Sequence, residues 1–188
     1  MHSLRATSLL LPLLSAGSAL AHSRWGPTSI ASPCQSVEIS AEWRETIISN
    51  WLTIWNDVDF SLLDVTVSPE IVIYQDRFAT GTGNGSIEFP VNNVTAFQRF
   101  VEGSRAGFSK YAFEATRYFG EDDLVALEWT LNAIVESGQG TAAPGTAISY
   151  NGTDIFVLDR CDGVVKEVRS HQDLIRYYNQ LGVDVGTP

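Results

Sequence analysis

The residues best suited to chemistry lie near the end of the chain, on a segment whose pattern predicts a strand. His171 is the only histidine beyond residue 22, and its imidazole could be a general acid or base or a structural hydrogen-bonded group. Because successive strand residues point to opposite faces, this segment has two sets of side chains. One face carries Lys166, Val168, Ser170 and Gln172, and the other carries Glu167, Arg169, His171 and Asp173. A one-residue bulge would bring His171 or Asp173 to the face of Ser170, and Asp173 could instead cap the last helix.

A second set of candidate groups lies on the strand predicted at Leu124 to Val135. Glu128 and Asn132 share one face, and Leu127, Trp129 and Leu131 share the other. If the apolar set packs on helices, the polar set faces solvent; if the sheet is locally inverted, Glu128 and Asn132 line a pocket. An acid buried in a strand would itself indicate function, because such burial is costly without a partner.

Several other types of active site are absent from the sequence. There is no His-Glu-x-x-His motif, no cluster of cysteine and histidine, and no Gly-x-Ser-x-Gly nucleophile elbow. The glycine-rich segment 76–90 contains no lysine and does not itself open a convincing helix, which argues against a phosphate-binding loop. The sequence therefore lacks the common motifs for a metal site, a serine nucleophile or a bound phosphate.

Helices are predicted on either side of the strands. Ser40 is a suitable N-cap with Trp43 at the third helical position. The apolar residues that follow recur at three- and four-residue spacing: Trp43, Ile47, Trp51, Ile54, Trp55 and Val58. Such a stripe is typical of a core-facing helix, although tryptophans such as Trp55 could also form a ligand platform. A second helix begins at Val94 and ends near Gly107, and a short last helix spans Leu174 to Leu181.

The remaining apolar segments predict strands, the first at Ile71 to Tyr74 after a break at Ser68-Pro69. The later ones are 111–118, 124–135, 147–159 and 164–170, separated by turn-forming residues. Helices followed by an antiparallel meander and a closing helix favour an α+β fold, with a curved sheet wrapped around the helices.

The first residues have the features of a secretory signal peptide. A short apolar run, 6–14, is followed by Ala19-Leu20-Ala21, which fits cleavage after residue 21. We predict an extended arm at 22–36, a single domain at 37–183 and a tail at 184–188. No later segment is long and apolar enough to span a membrane, so we expect a secreted protein.

Glycosylation and disulfide signals fit the same compartment. Sequons occur at Asn84, Asn93 and Asn151, each predicted to lie in a turn or loop. In an oxidising compartment the only two cysteines, Cys34 and Cys161, predict a disulfide; two buried free thiols are the alternative. A bridge over so much of the chain would remove about 4–5 kcal/mol of denatured-state entropy.

The charge of the chain argues against one class of partner. There are 12 lysine and arginine residues against 22 aspartate and glutamate residues. Nucleic-acid binding depends on clustered cations that neutralise phosphates, and the sequence has no such cluster. The acidity is sufficiently explained by solubility.

Several local patterns, taken in order, carry a family resemblance across Ala41 to Gly182. They include Trp55-Asn56-Asp57-Val58-Asp59, Gly120-Glu121-Asp122-Asp123 leading to Leu127-Glu128-Trp129-Thr130, Gly152-Thr153-Asp154-Ile155-Phe156, Asp162-Gly163 and Gln180-Leu181-Gly182. In these features the chain resembles the SnoaL-like polyketide cyclases, within the nuclear transport factor 2-like superfamily. The resemblance implies a cone-shaped sheet with an apolar pocket at its open end.

The resemblance also implies a type of chemistry. Relatives use a pocket carboxylate as general base to form an enolate, a neutral donor to stabilise the oxyanion, and no cofactor. Ser170 occupies the position at which relatives often carry the catalytic aspartate, and serine cannot act as a base unaided. Tyr74 and Asp76 lie where relatives place groups at the pocket mouth, and Asp154 lies on the neighbouring strand. Relatives often dimerise through the open sheet face.

Two functions are therefore expected. The first is a cofactor-independent cyclase, isomerase or dehydratase acting on a small polyketide- or terpenoid-like molecule. Its candidate catalytic groups are His171, Asp173, Glu128 and Tyr74, and its candidate binding groups are Trp55, Asp76, Asn132, Asp154 and Ser170. The second is a secreted protein that binds an apolar small molecule without catalysis.

Overall fold

The computed structural model describes residues 34–75, 87–88 and 91–185. The predicted signal peptide 1–21, most of the predicted arm 22–36, and the candidates Asp76 and Asn84 lie outside these residues. So does the end of the predicted tail, 186–188.

The first helix, α1 (Ala41–Asp57), begins after the predicted N-cap and buries most of its predicted apolar stripe; Trp43 is 36% exposed, and Val58 is the C-cap that follows the helix. The Ser40 hydroxyl accepts the backbone N–H of Trp43 at 3.1 Å, which satisfies one of the free N–H groups of the first turn. The apolar stripe is buried at Ile47, Ile48, Trp51, Ile54 and Trp55. A short 3-10 helix (Phe60–Val65) follows, capped by Asp59.

In the described part of the chain, six strands form one sheet in the order β2-β1-β6-β5-β4-β3. They are β1 (Val67–Gln75), β2 (Ile87–Glu88), β3 (Phe108–Glu121), β4 (Leu124–Val135), β5 (Ala147–Leu158) and β6 (Val165–Gln172). The meander from β3 to β6 is antiparallel, as predicted. The sheet is mixed rather than wholly antiparallel, because β1 pairs with β6 in parallel.

Irregular pairing bends the sheet at defined positions. The register shifts between Ala115 and Arg117 in β3, so that Thr116 is an extra residue. It also shifts between Val67 and Val72 in β1, where Pro69 cannot donate a ladder hydrogen bond. Strand β1 therefore starts earlier than predicted, since Ser68-Pro69 forms a bulge within it. Such bulges increase local bend and twist.

The inner face of the sheet packs on the helices. Along β4, Leu127, Trp129 and Leu131 are buried, whereas Glu128 and Asn132 on the other face are not. Of the two orientations left open by the sequence, the apolar set faces the helices. Fully buried rings such as Phe97 and Phe156 each contribute roughly 1.5–3 kcal/mol by leaving water.

Two further helices lie at the ends of this core. Helix α2 (Val94–Arg105) starts at Asn93, whose side-chain oxygen accepts the backbone N–H of Ala96 at 2.9 Å. Helix α3 (Leu174–Gln180) starts at Asp173, whose carboxylate accepts the backbone N–H of Arg176 at 3.0 Å. Within the described part of the chain, no helix combines the length and hydropathy needed to cross a bilayer.

A disulfide joins Cys34 to Cys161 across 127 residues of sequence, which confirms the predicted pairing. The bridge lies beside other links between the same segments. The Val37 backbone N–H donates to the carbonyl of Arg160 at 2.7 Å, and the Trp43 indole donates to that of Gly163 at 2.9 Å. The start of the domain is thus fastened to the turn between β5 and β6.

Candidate active site

A cavity of about 180 Å³ lies between the inner face of the sheet and the helices. Its walls come from α1, α2, α3 and five strands. The residues that line it are Trp51, Trp55, Ile73, Gln75, Phe100, Ser104, Tyr111, Phe113, Trp129, Tyr150, Asp154, Val168, Ser170, Gln172, Leu174, Tyr177 and Tyr178. More than half of these side chains are aromatic, and a single one is a carboxylate.

The aromatic side chains form a continuous set of ring contacts. Trp55 meets Phe113 with ring centroids 5.2 Å apart, and Phe113 meets Trp129 at 4.8 Å. Trp129 then meets Tyr150 at 5.8 Å, and Tyr150 meets Tyr177 at 4.9 Å. Most of these contacts are edge-to-face, the geometry that aromatic quadrupoles favour. Each ring is therefore held in place by its neighbours.

Asp154 is the residue among those lining the cavity that carries a carboxylate. It lies in the middle of β5, paired with Leu127 of β4 on one side and Ser170 of β6 on the other. The alternation of β5 places Tyr150, Gly152 and Asp154 on the inner face. Only 7% of Asp154 is exposed, so its carboxylate has lost almost all of its contact with water.

Burial makes Asp154 a stronger base than an ordinary aspartate. Desolvation raises its pKa from 3.8 to about 6, because the charged form is the one that loses hydration. The Ser170 hydroxyl and the indole N–H groups of Trp129 and Trp51 oppose this rise in pKa, and His171 opposes it more weakly. Among the described residues, Asp154 Oδ1 and Trp129 Nε1 nevertheless lack a partner with good hydrogen-bond geometry. The carboxylate is therefore only partly stabilised.

A hydrogen-bond chain continues from this carboxylate along the cavity. The Ser170 hydroxyl donates to Asp154 and accepts from the Gln172 amide at 3.1 Å. The Gln172 carbonyl oxygen accepts the Tyr150 hydroxyl at 3.3 Å. This chain fixes the orientation of Ser170 and connects Asp154 to a phenol on the same strand.

Tyrosine hydroxyls supply neutral donors in the cavity. Burial raises the pKa of both Tyr111 and Tyr150 far above that of an ordinary phenol. Both side chains therefore stay protonated at any ordinary pH. Tyr111 can donate a hydrogen bond to an oxygen that becomes negative during a reaction, and Tyr150 can do so when its hydroxyl turns away from Gln172.

Gly152 allows Trp129 to take its position beside Asp154. The two residues are paired across β4 and β5, and the Trp129 ring lies over the glycine. A Cβ at position 152 would overlap the Trp129 ring and come within 2.8 Å of the His171 carbonyl oxygen. Any larger residue must therefore displace the indole that interacts with the carboxylate.

We expect Gly152→Ala to lower the free energy of unfolding by about 1–3 kcal/mol, the usual cost of overpacking. Urea denaturation followed by tryptophan fluorescence would measure it. Gly103→Ala in α2 is the matched control, because a Cβ there meets nothing within 4 Å. That variant should be more stable by about 0.5–1 kcal/mol. Equal stability of the two variants would contradict the packing argument.

The raised pKa of Asp154 predicts how stability depends on pH. The pKa is about 6 in the folded protein against 3.8 for an ordinary aspartate. The stabilising contribution of this group is thus fully present below the lower value and is lost as the pH rises through the higher one. We therefore compare the unfolding free energies of Asp154→Asn and wild type at each pH. The difference should shift in favour of the variant by on the order of 3 kcal/mol as the pH rises from about 4 to about 8.

Urea denaturation of both proteins across this pH range would test that expectation. Glu128→Gln is the control, because a hydrogen bond from Arg117 lowers the pKa of Glu128. That carboxylate contributes stability above its unfolded pKa. As the pH rises, the unfolding free energy of Glu128→Gln should therefore fall relative to that of wild type. Stability curves for wild type and Asp154→Asn that stay parallel across the range would refute the pKa argument.

The structure brings three of the sequence-predicted residues to the cavity: Trp55, Asp154 and Ser170. Trp55 is both core and cavity wall, since it is 6% exposed and lines the space. The acid that reaches the cavity is Asp154, which the sequence marked for binding rather than catalysis.

The remaining described candidates are not among the cavity-lining residues. Glu128 accepts two hydrogen bonds from Arg117 at 2.7 Å, and Asn132 is on the same outer face of β4. Tyr74 of β1 lies beneath the guanidinium of Arg169, 5.4 Å from its ring centroid. On each strand the alternation of side chains places these residues on the face opposite the cavity.

His171 and Asp173 also lie away from the cavity. Strand β6 ends without a bulge at this point, since Gly152, Thr153 and Asp154 pair in step with Gln172, His171 and Ser170. His171 consequently stays on the outer face, where it borders a shallow surface depression together with Glu128 and Asn151. Asp173 caps α3, which was the alternative reading of its role.

The two described sequons occupy different environments. Asn93 is the N-cap of α2 and is exposed. Asn151 is also exposed but lies inside β5, where its side-chain oxygen accepts the Thr130 hydroxyl at 2.9 Å. The prediction that Asn151 lies in a turn is wrong, because Asn151-Gly152 continues the strand ladder with β4.

Several site residues were missed from the sequence, among them Trp129, Tyr111, Tyr150 and Gln172. The available signal was the alternation on β5. Asp154 shares a face with Tyr150, Phe156 and Leu158, so it is an acid on an apolar face. Among the described residues, no group of three or more histidine, cysteine, aspartate or glutamate side chains could hold a metal ion.

Comparison with known proteins identifies the architecture. A family model for a SnoaL-like domain matches residues 48–168. IdmH of Streptomyces antibioticus, a proposed polyketide cyclase, has a TM-score of 0.61 at 16% identity, covering 74% of this chain and 98% of its own. AclR of Streptomyces galilaeus, a proposed hydroxylase, has a TM-score of 0.59 at 22% identity, covering 76% and 98%.

A third similar structure carries a different description. It is a protein from Catenulispora acidiphila with a ketosteroid isomerase-like fold, in complex with trimethylamine. Its TM-score is 0.56 at 11% identity, with 76% of this chain and 97% of that chain covered. At these identities the structures agree in fold alone. No curated protein matches the sequence significantly.

Proposed function

Because the chain belongs to the SnoaL-like domain family, we propose that it is a cofactor-independent cyclase, isomerase or lyase acting by general acid–base chemistry, with Asp154 as the base. One observation carries the proposal: a carboxylate 7% exposed, with its pKa raised by burial to about 6, borders a cavity. Perturbed acids in cavities are typical of catalytic sites. A base with a pKa near the working pH is well matched to proton transfer.

The first step is removal of a proton from a carbon next to a carbonyl group. The C–H electron pair moves into a new C=C bond while the carbonyl oxygen becomes an enolate, and Asp154 holds the proton. A tyrosine hydroxyl, from Tyr111 or Tyr150, donates to the enolate oxygen. Neutral donors fixed in a site shielded from water stabilise such a charge strongly.

The second step decides the type of reaction. In an isomerisation, Asp154 returns the proton to another carbon of the conjugated system. In a cyclisation, the enolate carbon attacks a second carbonyl and the proton passes to the new alkoxide. In a dehydration, the proton leaves with the departing hydroxyl group as water. Each route regenerates ionised Asp154 and needs no electron donor or acceptor.

Ser170 would assist as a positioning residue. It occupies the place predicted for the family's base, and it is paired directly with Asp154 across β5 and β6. Its hydrogen bond lowers the pKa of Asp154 and restricts the rotation of the carboxylate. The Asp154 carboxylate would then reach, from β5, the part of the cavity at which the family's base on β6 would lie.

A non-catalytic role as a binding protein for an apolar small molecule remains the second candidate function. The observation that favours it is the continuous aromatic wall, which offers a large apolar contact area. On this view Asp154 would only orient the ligand.

We also propose that the protein is secreted and glycosylated. The disulfide between Cys34 and Cys161 supports an oxidising compartment, and the exposed positions of Asn93 and Asn151 are accessible to modification. For protein without a sugar at Asn151, a homodimer formed through the outer sheet face is the partner arrangement that the family resemblance suggests.

An isomerisation assay tests the catalytic proposal without knowledge of the natural substrate. Cyclohex-3-enone is a single-ring ketone whose conversion to cyclohex-2-enone requires removal and return of one proton and is followed by ultraviolet absorbance. The purified protein should accelerate this conversion, with activity rising as the pH passes through about 6. If neither this enone nor a panel of small cyclic ketones in deuterated water reacts faster than with Asp154→Asn, the catalytic proposal fails.

A further inference from the structure

The cavity contains a negative charge that its described walls do not neutralise. Asp154 is the ionisable acid among the lining residues, and these include no lysine, arginine or histidine. The Ser170 hydroxyl and the indole N–H groups of Trp129 and Trp51 lower the pKa of the carboxylate but leave its charge uncancelled. A buried charge without a counter-ion is costly, so a cation entering the cavity would relieve that cost.

The two candidate cations considered among the described residues, Arg105 and His171, do not line the cavity. The Arg105 guanidinium donates to the backbone carbonyls of Trp55 and Tyr111 and lies 5.5 Å from the centre of the Tyr111 ring. It therefore sits behind the cavity wall. His171 is exposed on the outer face of β6, and its effect on the pKa of Asp154 is the smallest of the contributions described above.

The rest of the cavity wall also suits a cation. Aromatic faces attract ammonium groups, and cages of aromatic rings are a known way to recognise quaternary ammonium ligands. Here the ring contacts run from Trp55 through Phe113 and Trp129 to Tyr150 and Tyr177. Since the rings brace one another, the wall is preorganised for a ligand.

From these contacts we propose that the cavity binds a small organic cation, a tertiary or quaternary ammonium compound, with Asp154 as counter-ion and the aromatic wall around its alkyl groups. The size limit follows from the volume. A cavity of about 150 Å³ accommodates benzene, and this one is about 180 Å³. Ligands no larger than choline therefore fit, whereas multi-ring cations do not.

This inference is independent of the proposed catalytic function, because binding requires no proton transfer. The two share the ionised form of Asp154, and a bound cation would occupy the space in which a ketone reacts. Tetramethylammonium should therefore inhibit any enone isomerisation competitively.

Calorimetric titration of the full chain with matched probes tests the proposal. Choline and its uncharged carbon analogue 3,3-dimethylbutan-1-ol have nearly the same shape, so their difference reports charge. At about pH 8, above the pKa of Asp154, wild type should bind choline roughly tenfold or more tightly than the analogue. Asp154→Asn should lose this preference while binding the uncharged analogue equally well.

Glu128→Gln controls for the general acidity of the protein, because it removes an acid from the outer face and should keep the preference for choline. Equal binding of both probes by wild type would overturn the inference and indicate an apolar cavity. No measurable binding of either probe, or a preference that survives in Asp154→Asn, would also overturn it. If choline binds through Asp154 and no ketone reacts, the cation site stands and the catalytic proposal alone fails.

Discussion

Asp154→Asn should reduce the rate of enone isomerisation by about 10²–10⁴-fold, the contribution that a positioned acid–base group makes. Asparagine has nearly the same shape and can still accept from the Ser170 hydroxyl, but it cannot hold a proton taken from carbon. The substitution therefore separates proton transfer from packing. Initial rates of cyclohex-2-enone formation by the two proteins, at equal concentrations of folded protein, measure the effect.

Two further variants define what the result means. Glu128→Gln should keep the wild-type rate, because its carboxylate is paired with Arg117 on the outer face. Ser170→Ala should keep activity but shift the pH profile to higher pH, because the Ser170 hydrogen bond lowers the pKa of Asp154. If Glu128→Gln or His171→Ala abolished the reaction while Asp154→Asn remained active, the base would have been assigned to the wrong face of the sheet.

Removal of the disulfide should have the largest effect on stability. Cys161→Ser opens a link between residues separated by 127 positions, and the chain-entropy model gives a loss of about 4–5 kcal/mol in unfolding free energy. The loss arises mainly in the unfolded chain, which becomes freer once the link is gone. Urea denaturation without reductant measures it.

The same bond can be broken from either side, which provides an internal control. Cys34→Ser and the double variant should each lose as much as Cys161→Ser, because all three lack one and the same bond. Wild type treated with reductant should approach the same value. If Cys161→Ser lowered the unfolding free energy and Cys34→Ser did not, the loss would instead come from local packing in the turn between β5 and β6.

Local sequence signals were sufficient for most of the fold. The caps at Ser40 and Asp173 and the spacing of the α1 tryptophans act over a few residues, so they can be read directly from the chain. The alternation of β4 similarly gave the correct grouping of Leu127, Trp129 and Leu131. The parallel pairing of β1 with β6 was missed, since it joins segments about 100 residues apart and leaves no local pattern.

The candidate site was harder to predict for a related reason. Alternation sorts the residues of a strand into two faces, but it does not say which face is covered by helices. His171 and Glu128 were attractive by residue type, yet both lie on the face that the helices leave open. Asp154 could have been chosen from its apolar neighbours on β5, because an acid on an apolar face is costly to bury and so indicates function.

Family alignment alone would have drawn attention away from Asp154. Ser170 at the position expected for the base suggests an inactive relative. The pairing of Ser170 with Asp154 shows that a carboxylate still borders that part of the cavity, carried by the adjacent strand. A carboxylate at this part of the cavity thus does not require an acid at the aligned position in the sequence.

The position of Asn151 within β5 has a consequence for assembly. Asp154 and its inward neighbours face the cavity, while Asn151 projects from the opposite side of the same strand, near the middle of the sheet. An oligosaccharide attached there would cover the surface through which two copies would otherwise stack. Sugar addition at this asparagine and sheet-to-sheet pairing therefore exclude each other, and the enzymatically deglycosylated and untreated proteins should differ in whether they self-associate.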